Sequence, residues 1–125
     1  MSAKSPQQVI EDFSNSLNAD DLEGALGLYE QDAVFSPEPG RVIVGKAAIE
    51  EALRAFLALR PDLTGTIGEV LEGEDLALVR NRWRLRGTSP DGEAVELSGT
   101  SADVMRRQED GSWRIAIDDP WGGAA

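Results

Sequence analysis

The 125-residue chain contains no cysteine and no histidine. Without thiol or imidazole it cannot build a Ser-His-Asp or Cys-His nucleophile, a histidine base, or a zinc site on those ligands. The lack of cysteine also removes disulfides and fits a reducing, cytoplasmic setting. No apolar run approaches the roughly 20 residues that span a bilayer, and Met1-Ser2-Ala3-Lys4-Ser5 lacks the apolar core of a signal peptide. Positive charge is scarce as well: 12 Lys and Arg stand against 23 Asp and Glu, a formal net charge of -11. Such a field repels phosphate backbones and anionic lipid surfaces, so neither nucleic acid nor a membrane is an expected partner. Acid-base work must therefore fall to carboxylates, the single Tyr29, lysine or water.

What is present suffices for one globular domain over 1–125, because a chain of this length buries roughly two-thirds of its unfolded surface. No repeat or linker interrupts it, and only 1–4 and 122–125 are expected to fray. Ser5-Pro6-Gln7-Gln8 reads as a helix start with Ser5 as cap and Gln8 completing a capping box. That helix should reach Asn18, burying Val9, Ile10, Phe13 and Leu17 at three- and four-residue steps. Asp20 should cap a short second helix with Leu22, Ala25, Leu26 and Tyr29 inward, the Tyr29 ring in the core and its hydroxyl wet. Ala33 to Phe35 and Arg41 to Val44 read as short strands around a loop at Ser36-Pro37-Glu38-Pro39-Gly40. A third helix follows from Lys46 to Leu59 and is stopped at Arg60-Pro61.

The second half reads as sheet. Leu63 to Glu72 is a strand whose Gly65 and Gly68 mark bends or bulges. Leu76 to Arg86, Glu93 to Arg107 and Ser112 to Pro120 are joined by Ser89-Pro90-Asp91-Gly92 and Glu109-Asp110-Gly111, which predicts an antiparallel meander. Helices first and strands last argue for an α+β fold, with the helices covering one concave face. Strict alternation puts Arg80, Arg82, Arg84 and Arg86 outward, opposite Glu96 and Asp118. It puts Leu97, Gly99, Ser101, Asp103 and Met105 inward, together with Trp113, Ile115 and Ile117 of the last strand.

With these residues in order, the chain resembles the nuclear transport factor 2-like superfamily, specifically its ketosteroid isomerase-like and SnoaL-like bacterial members. The resemblance rests on Leu17-Asn18-Ala19-Asp20-Asp21-Leu22-Glu23-Gly24 with Leu28-Tyr29 and Asp32-Ala33, on Gly45-Lys46-Ala47-Ala48-Ile49, and on Asp110-Gly111-Ser112-Trp113-Arg114-Ile115. It implies a cone-shaped roll of three N-terminal helices packed on a strongly curved, mostly antiparallel sheet, with a central pocket, and a homodimer. It also implies that Asp103 matches the carboxyl that donates a hydrogen bond to an enolate in steroid isomerases, and that Trp121 falls near an aromatic pocket position. Two other parts of that machinery differ. Phe13 stands where the family's steroid isomerases carry a tyrosine, and their proton-shuttling aspartate falls in Ser36-Pro37-Glu38, so ketosteroid isomerisation itself is not expected.

Asp103 thus has two readings: a neutral acid in an apolar hollow, or a satisfied polar residue bonded to Asn81, Ser101 or a backbone N–H. The candidate catalytic residues are Asp103 and, if its loop swings inward, Glu38. The candidate ligand-binding set is Phe13, Leu17, Tyr29, Phe35, Leu53, Phe56, Asn81, Trp83, Ser101, Met105 and Trp121. Asp118 and Asp119 with Glu38 would form an oxygen-rich cation site, but adjacent strand residues point to opposite faces, so no metal is assigned. No cofactor is called for. The ligand expected is a small apolar or carbonyl-bearing molecule, handled by a cofactor-independent isomerase, cyclase or dehydratase. A non-catalytic binding or dimeric association module is the competing class.

Overall fold

The computed structural model describes residues 3–123. Helix α1 spans Pro6–Asn18, with the Ser5 side chain accepting the Gln8 N–H as the sequence predicts. The Gln8 side chain reaches back one residue further than a capping box requires, to the Lys4 N–H at 2.7 Å. Helix α2 spans Leu22–Leu26 and is capped by Asp21, not Asp20. Asp20 instead turns the chain at a positive φ of 57°. A five-residue helix ends too early to carry Tyr29, which opens strand β1 at Tyr29–Glu38. The loop expected from Ser36 therefore begins only at Pro39, and β1 turns directly into β2 at Arg41–Val44. Helix α3, Lys46–Leu57, stops two residues before the expected end.

Four long strands complete the chain: β3 at Asp62–Glu72, β4 at Leu76–Thr88, β5 at Ala94–Arg107 and β6 at Trp113–Asp119. The six strands found among the described residues form one curled, unclosed sheet in the order β2-β1-β6-β5-β4-β3. Neighbours are antiparallel except β1 and β6, which run parallel. The β4-β5-β6 meander is the one the turn signals predict. Gly68 sits where β3 slips register against β4, as a bend-marking glycine should. The Asn18 side chain ties the end of α1 to β3, exchanging two hydrogen bonds of 2.7 and 2.9 Å with the Leu63 backbone.

The core lies between the helices and the inner sheet face, around Val9, Leu17, Tyr29, Ile49, Leu53 and Met105. No helix among the described residues is long and apolar enough to cross a membrane. The chain ends are held more firmly than expected where they are described. Ala3 is buried and its carbonyl accepts the Trp113 N–H, and the Gly123 N–H donates to Thr100 at 2.9 Å. Residues 1, 2, 124 and 125 lie outside the described residues.

One irregularity decides what β6 presents to the interior. Val104 pairs with Ile117 but Met105, the next residue, pairs with Ile115, which leaves Ala116 as an extra residue in the strand. A bulge of this kind reverses the faces beyond it. Ile115 and Ala116 are both buried, Ile117 is 42% exposed, and Asp118 is only 7% exposed. The expected inward Ile117 and outward Asp118 are thus exchanged. The outer arginine row follows the expectation, with Arg80 paired to Glu69 and Arg84 to Glu96, but Asp118 has no part in it.

The same shift completes an apolar stripe on the outer face. Val44, Val34, Ile117, Val104, Leu78 and Leu71 lie in cross-strand register over all six strands. Val44, Leu71 and Ile117 are its most exposed members.

Candidate active site

Between the helices and the inner sheet face lies a cavity of about 80 Å³. Amphipathic spacing supplies its walls: Phe13 and Leu17 from α1, Leu53 and Phe56 from α3, and Phe35 from β1. Trp83 of β4 and Trp121, just beyond β6, complete them, their rings edge to face with centroids 5.1 Å apart. Trp83 is fixed by donating its indole N–H to the Pro120 carbonyl at 2.7 Å. Gly99 gives that ring its seat, because a Cβ there would press on it at 3.1 Å.

The polar lining comes from the sheet floor. Alternation along β4 and β5 turns Asn81, Ser101 and Asp103 inward, and the bulge in β6 adds Asp118. Asp103 and Asp118 are direct cross-strand partners, 4% and 7% exposed. Asp118 Oδ2 accepts the Tyr29 hydroxyl at 2.5 Å, and Asp103 Oδ1 accepts the Asp119 N–H at 3.0 Å. Burial, followed by the charge and hydrogen bonding of Asp118, holds the Asp103 carboxyl well above the usual carboxylate range. Burial also raises Asp118, opposed by the hydrogen bonds it receives from Asp103 and Tyr29. The Tyr29 phenol is raised too, first by burial and then by the Asp118 charge. Two adjacent carboxyls in one low-dielectric site do not both ionise, so the pair shares a proton.

Of the residues singled out in the sequence, Phe13, Leu17, Phe35, Leu53, Phe56, Asn81, Trp83, Ser101, Asp103 and Trp121 come together around this cavity. Met105 and Tyr29 do not line it. Met105 is fully buried in the core, and Tyr29 stands behind Asp118, its hydroxyl dry where sequence reading leaves it wet. Glu38 is excluded: it lies exposed beside the β1-β2 turn, 3.8 Å from Arg41. Pro37, not Glu38, is the buried residue there. Asp118 is the polar group that alternation alone misses, because nothing in Ile115-Ala116-Ile117 marks a bulge as glycine or proline would.

Among the described residues, two buried side-chain polar atoms have no partner. Asn81 Oδ1 and Trp121 Nε1 are buried without a hydrogen bond. An unpaired buried group costs about 1–3 kcal/mol, so their retention beside a cavity suits contact with a bound molecule. Among the described residues, no lysine or arginine lines the cavity.

A search of curated proteins gives no significant match. Solved structures do match. A Mycobacterium tuberculosis protein of unknown function shares 27% identity and a TM-score of 0.77 over 90% of this chain and 70% of its own. A ketosteroid isomerase-like protein from Erwinia carotovora atroseptica matches at 24% identity and a TM-score of 0.77, covering 90% and 88%. A proposed scytalone dehydratase from Novosphingobium aromaticivorans matches at 20% identity and a TM-score of 0.79, covering 90% and 77%. The latter two likenesses establish a shared fold. The SnoaL-like domain model matches residues 10–116, and the chain belongs to that family.

Proposed function

We propose that the protein is a cofactor-independent acid-base enzyme that moves a proton next to the carbonyl group of a small, mostly apolar compound. The observation that carries this reading is the pair Asp103 and Asp118, opposite each other in an apolar cavity and backed by Tyr29. One carboxyl is neutral and the other ionised, so the cavity holds an acid and a base side by side. The Asp118 carboxylate takes a proton from the carbon beside the carbonyl. The Asp103 hydroxyl donates a hydrogen bond to the oxygen on which charge gathers. Return of the proton to another carbon gives isomerisation; departure of a hydroxyl β to the carbonyl as water, carrying away the proton that Asp118 took, gives dehydration. The neighbour proposed to be a scytalone dehydratase fits the second outcome. Ketosteroid isomerisation is not proposed, because Phe13 occupies the tyrosine position and Glu38 is outside the cavity.

The cavity volume is about half of the ~150 Å³ that holds benzene in an engineered apolar site. A ring-sized substrate therefore displaces a wall side chain on entry, and the half-buried Trp121 is the candidate to move. The test is deuterium exchange at the α-carbons of cyclopentanone and cyclohexanone in D₂O, followed by NMR. Wild type is expected to accelerate exchange, and Asp118→Asn and Asp103→Asn to lower the rate ~10²–10⁴-fold. A ketone that binds but exchanges at the uncatalysed rate would refute the enzyme reading.

The outer stripe favours a second property, self-association. An apolar row crossing six strands is the kind of surface that a second copy covers across a two-fold axis. Ile117→Lys places a charge at its centre and is expected to convert a dimer into a monomer in sedimentation. An unchanged mass would remove this face from consideration.

A further inference from the structure

The carboxyl pair occupies only one end of the polar floor. Asn81 and Ser101 are cross-strand partners, and Ser101 lies two residues before Asp103 on the same face of β5. Asn81 and Asp103 are therefore diagonal cross-strand neighbours, about 7–8 Å apart. At the Asn81 position the Ser101 hydroxyl is engaged, donating to the Asn81 backbone carbonyl at 3.3 Å. The Asn81 carboxamide is not. It is 7% exposed, its Oδ1 has no partner, and it lines the cavity together with Trp121, whose indole N–H is also buried and unpaired.

The chain makes room for this amide at a cost to its own strand. Gly65 of β3 sits where a Cβ would come within 2.9 and 3.0 Å of the two carboxamide heavy atoms. A glycine in a strand interior weakens it, so this one admits a polar side chain that nothing in the protein then satisfies. A carboxamide offers both an acceptor and a donor, and the indole offers a donor. With no cation in the lining, an anionic ligand finds a net negative carboxyl pair and no counter-charge.

We propose that Asn81 and the Trp121 N–H form a second polar anchor, so that the ligand is an uncharged molecule carrying two oxygens, one at each end of a short apolar body. This deepens the proposed function by naming its substrate class, and rests on it only for the carbonyl end. Anchors about 7–8 Å apart, each reaching inward by one hydrogen bond, suit oxygens in a 1,3 or 1,4 relation on five or six carbons. The expected class is therefore hydroxy-ketones and diketones of that size. The second oxygen pairs a group left unpaired in the empty cavity, and a site with such a group discriminates strongly against ligands that cannot fill it.

Titration of the tryptophan fluorescence, in which Trp83 and Trp121 line the cavity and Trp113 does not, reads binding without any turnover. The probes are cyclohexanone, 4-hydroxycyclohexanone, cyclohexanecarboxylate and cyclohexylammonium. On the wild-type protein, 4-hydroxycyclohexanone is expected to bind at least tenfold more tightly than cyclohexanone, and both more tightly than either ion. In Asn81→Leu that preference is expected to disappear, with the cyclohexanone Kd changed less than threefold. Asn81→Ala should lose the preference as well, and Asn81→Gln should keep part of it, which separates loss of the anchor from loss of the fold. Equal affinities for the two ketones, a preference that survives in Asn81→Leu and Asn81→Ala, tighter binding of an ion, or no binding of any probe would each overturn the proposal. Because proton exchange is not measured, a protein that binds both ketones as expected but catalyses nothing would uphold this anchor and refute only the enzyme reading.

Discussion

The inner and outer faces of β5 and β6 invert the usual arrangement of a sheet. Inside, Asp103 and Asp118 are sealed from water; one residue away on each strand, Val104 and Ile117 pair on the outer face. A sheet folded only for stability would exchange these faces, since buried charge costs several kcal/mol and exposed aliphatic surface contributes nothing. The difference supports the proposed reading, in which a small molecule occupies the inner face and a second copy covers the outer one. Ala116 is the hinge of the inversion, because the single extra residue turns Asp118 in and Ile117 out together.

The strongest way to break this comparison is pH. Both carboxyls have folded pKa values raised by burial, so between the ordinary carboxylate range near ~4 and those raised values the folded state holds protons the unfolded state has lost. Stability then falls as pH rises through that window. Below it both states are protonated and the pair imposes no penalty. Asp103→Asn, which keeps a donor for Asp118 and removes one titration, is expected to gain stability relative to wild type as pH rises from 4 to 8, read by urea denaturation. A difference that is constant with pH would mean that the carboxyls are not sealed.

Tyr29→Phe removes the hydroxyl that supports the Asp118 charge and is expected to cost about 2 kcal/mol at pH 7 in the same assay. Asn81→Leu should act in the opposite direction, raising stability by about 1 kcal/mol, because an unpaired polar group is replaced by an apolar one of similar volume. A loss there instead would show that the carboxamide is satisfied in solution. The smallest effect is expected outside: Ile117→Thr should change monomer stability by no more than about 0.5 kcal/mol, as surface substitutions do.

Most of the architecture was legible because its signals are local. Turn residues mark both hairpins of the β4-β5-β6 meander, and alternation along β5 correctly turned Asp103 inward among Ser101 and Met105. The missing part of the site was not local. Tyr29 looked helical because Leu22, Ala25 and Leu26 set a helical period, yet it belongs to a strand whose parallel partner is β6. Asp118 looked exposed because alternation holds until a bulge interrupts it, and a plain alanine bulge leaves no signature. The second reading of Asp103, as a satisfied residue, was half realised: it does accept a backbone N–H, from Asp119, while also facing another carboxyl.

The parallel β1-β6 pair has a consequence for how the molecule assembles. The hydrogen bond from Tyr29 to Asp118 spans 89 positions of chain, whereas β4 and β5 are joined by a tight turn. Closing long loops is slow because their entropy must be lost before any contact repays it. The hairpin is therefore expected to form early and the carboxyl cluster to be completed last, so pulsed hydrogen exchange during refolding should protect β4 and β5 amides before those of β1. A nascent chain would then bring Tyr29, Asp103 and Asp118 together only in the final step of folding, and any partly folded species should lack the assembled cluster.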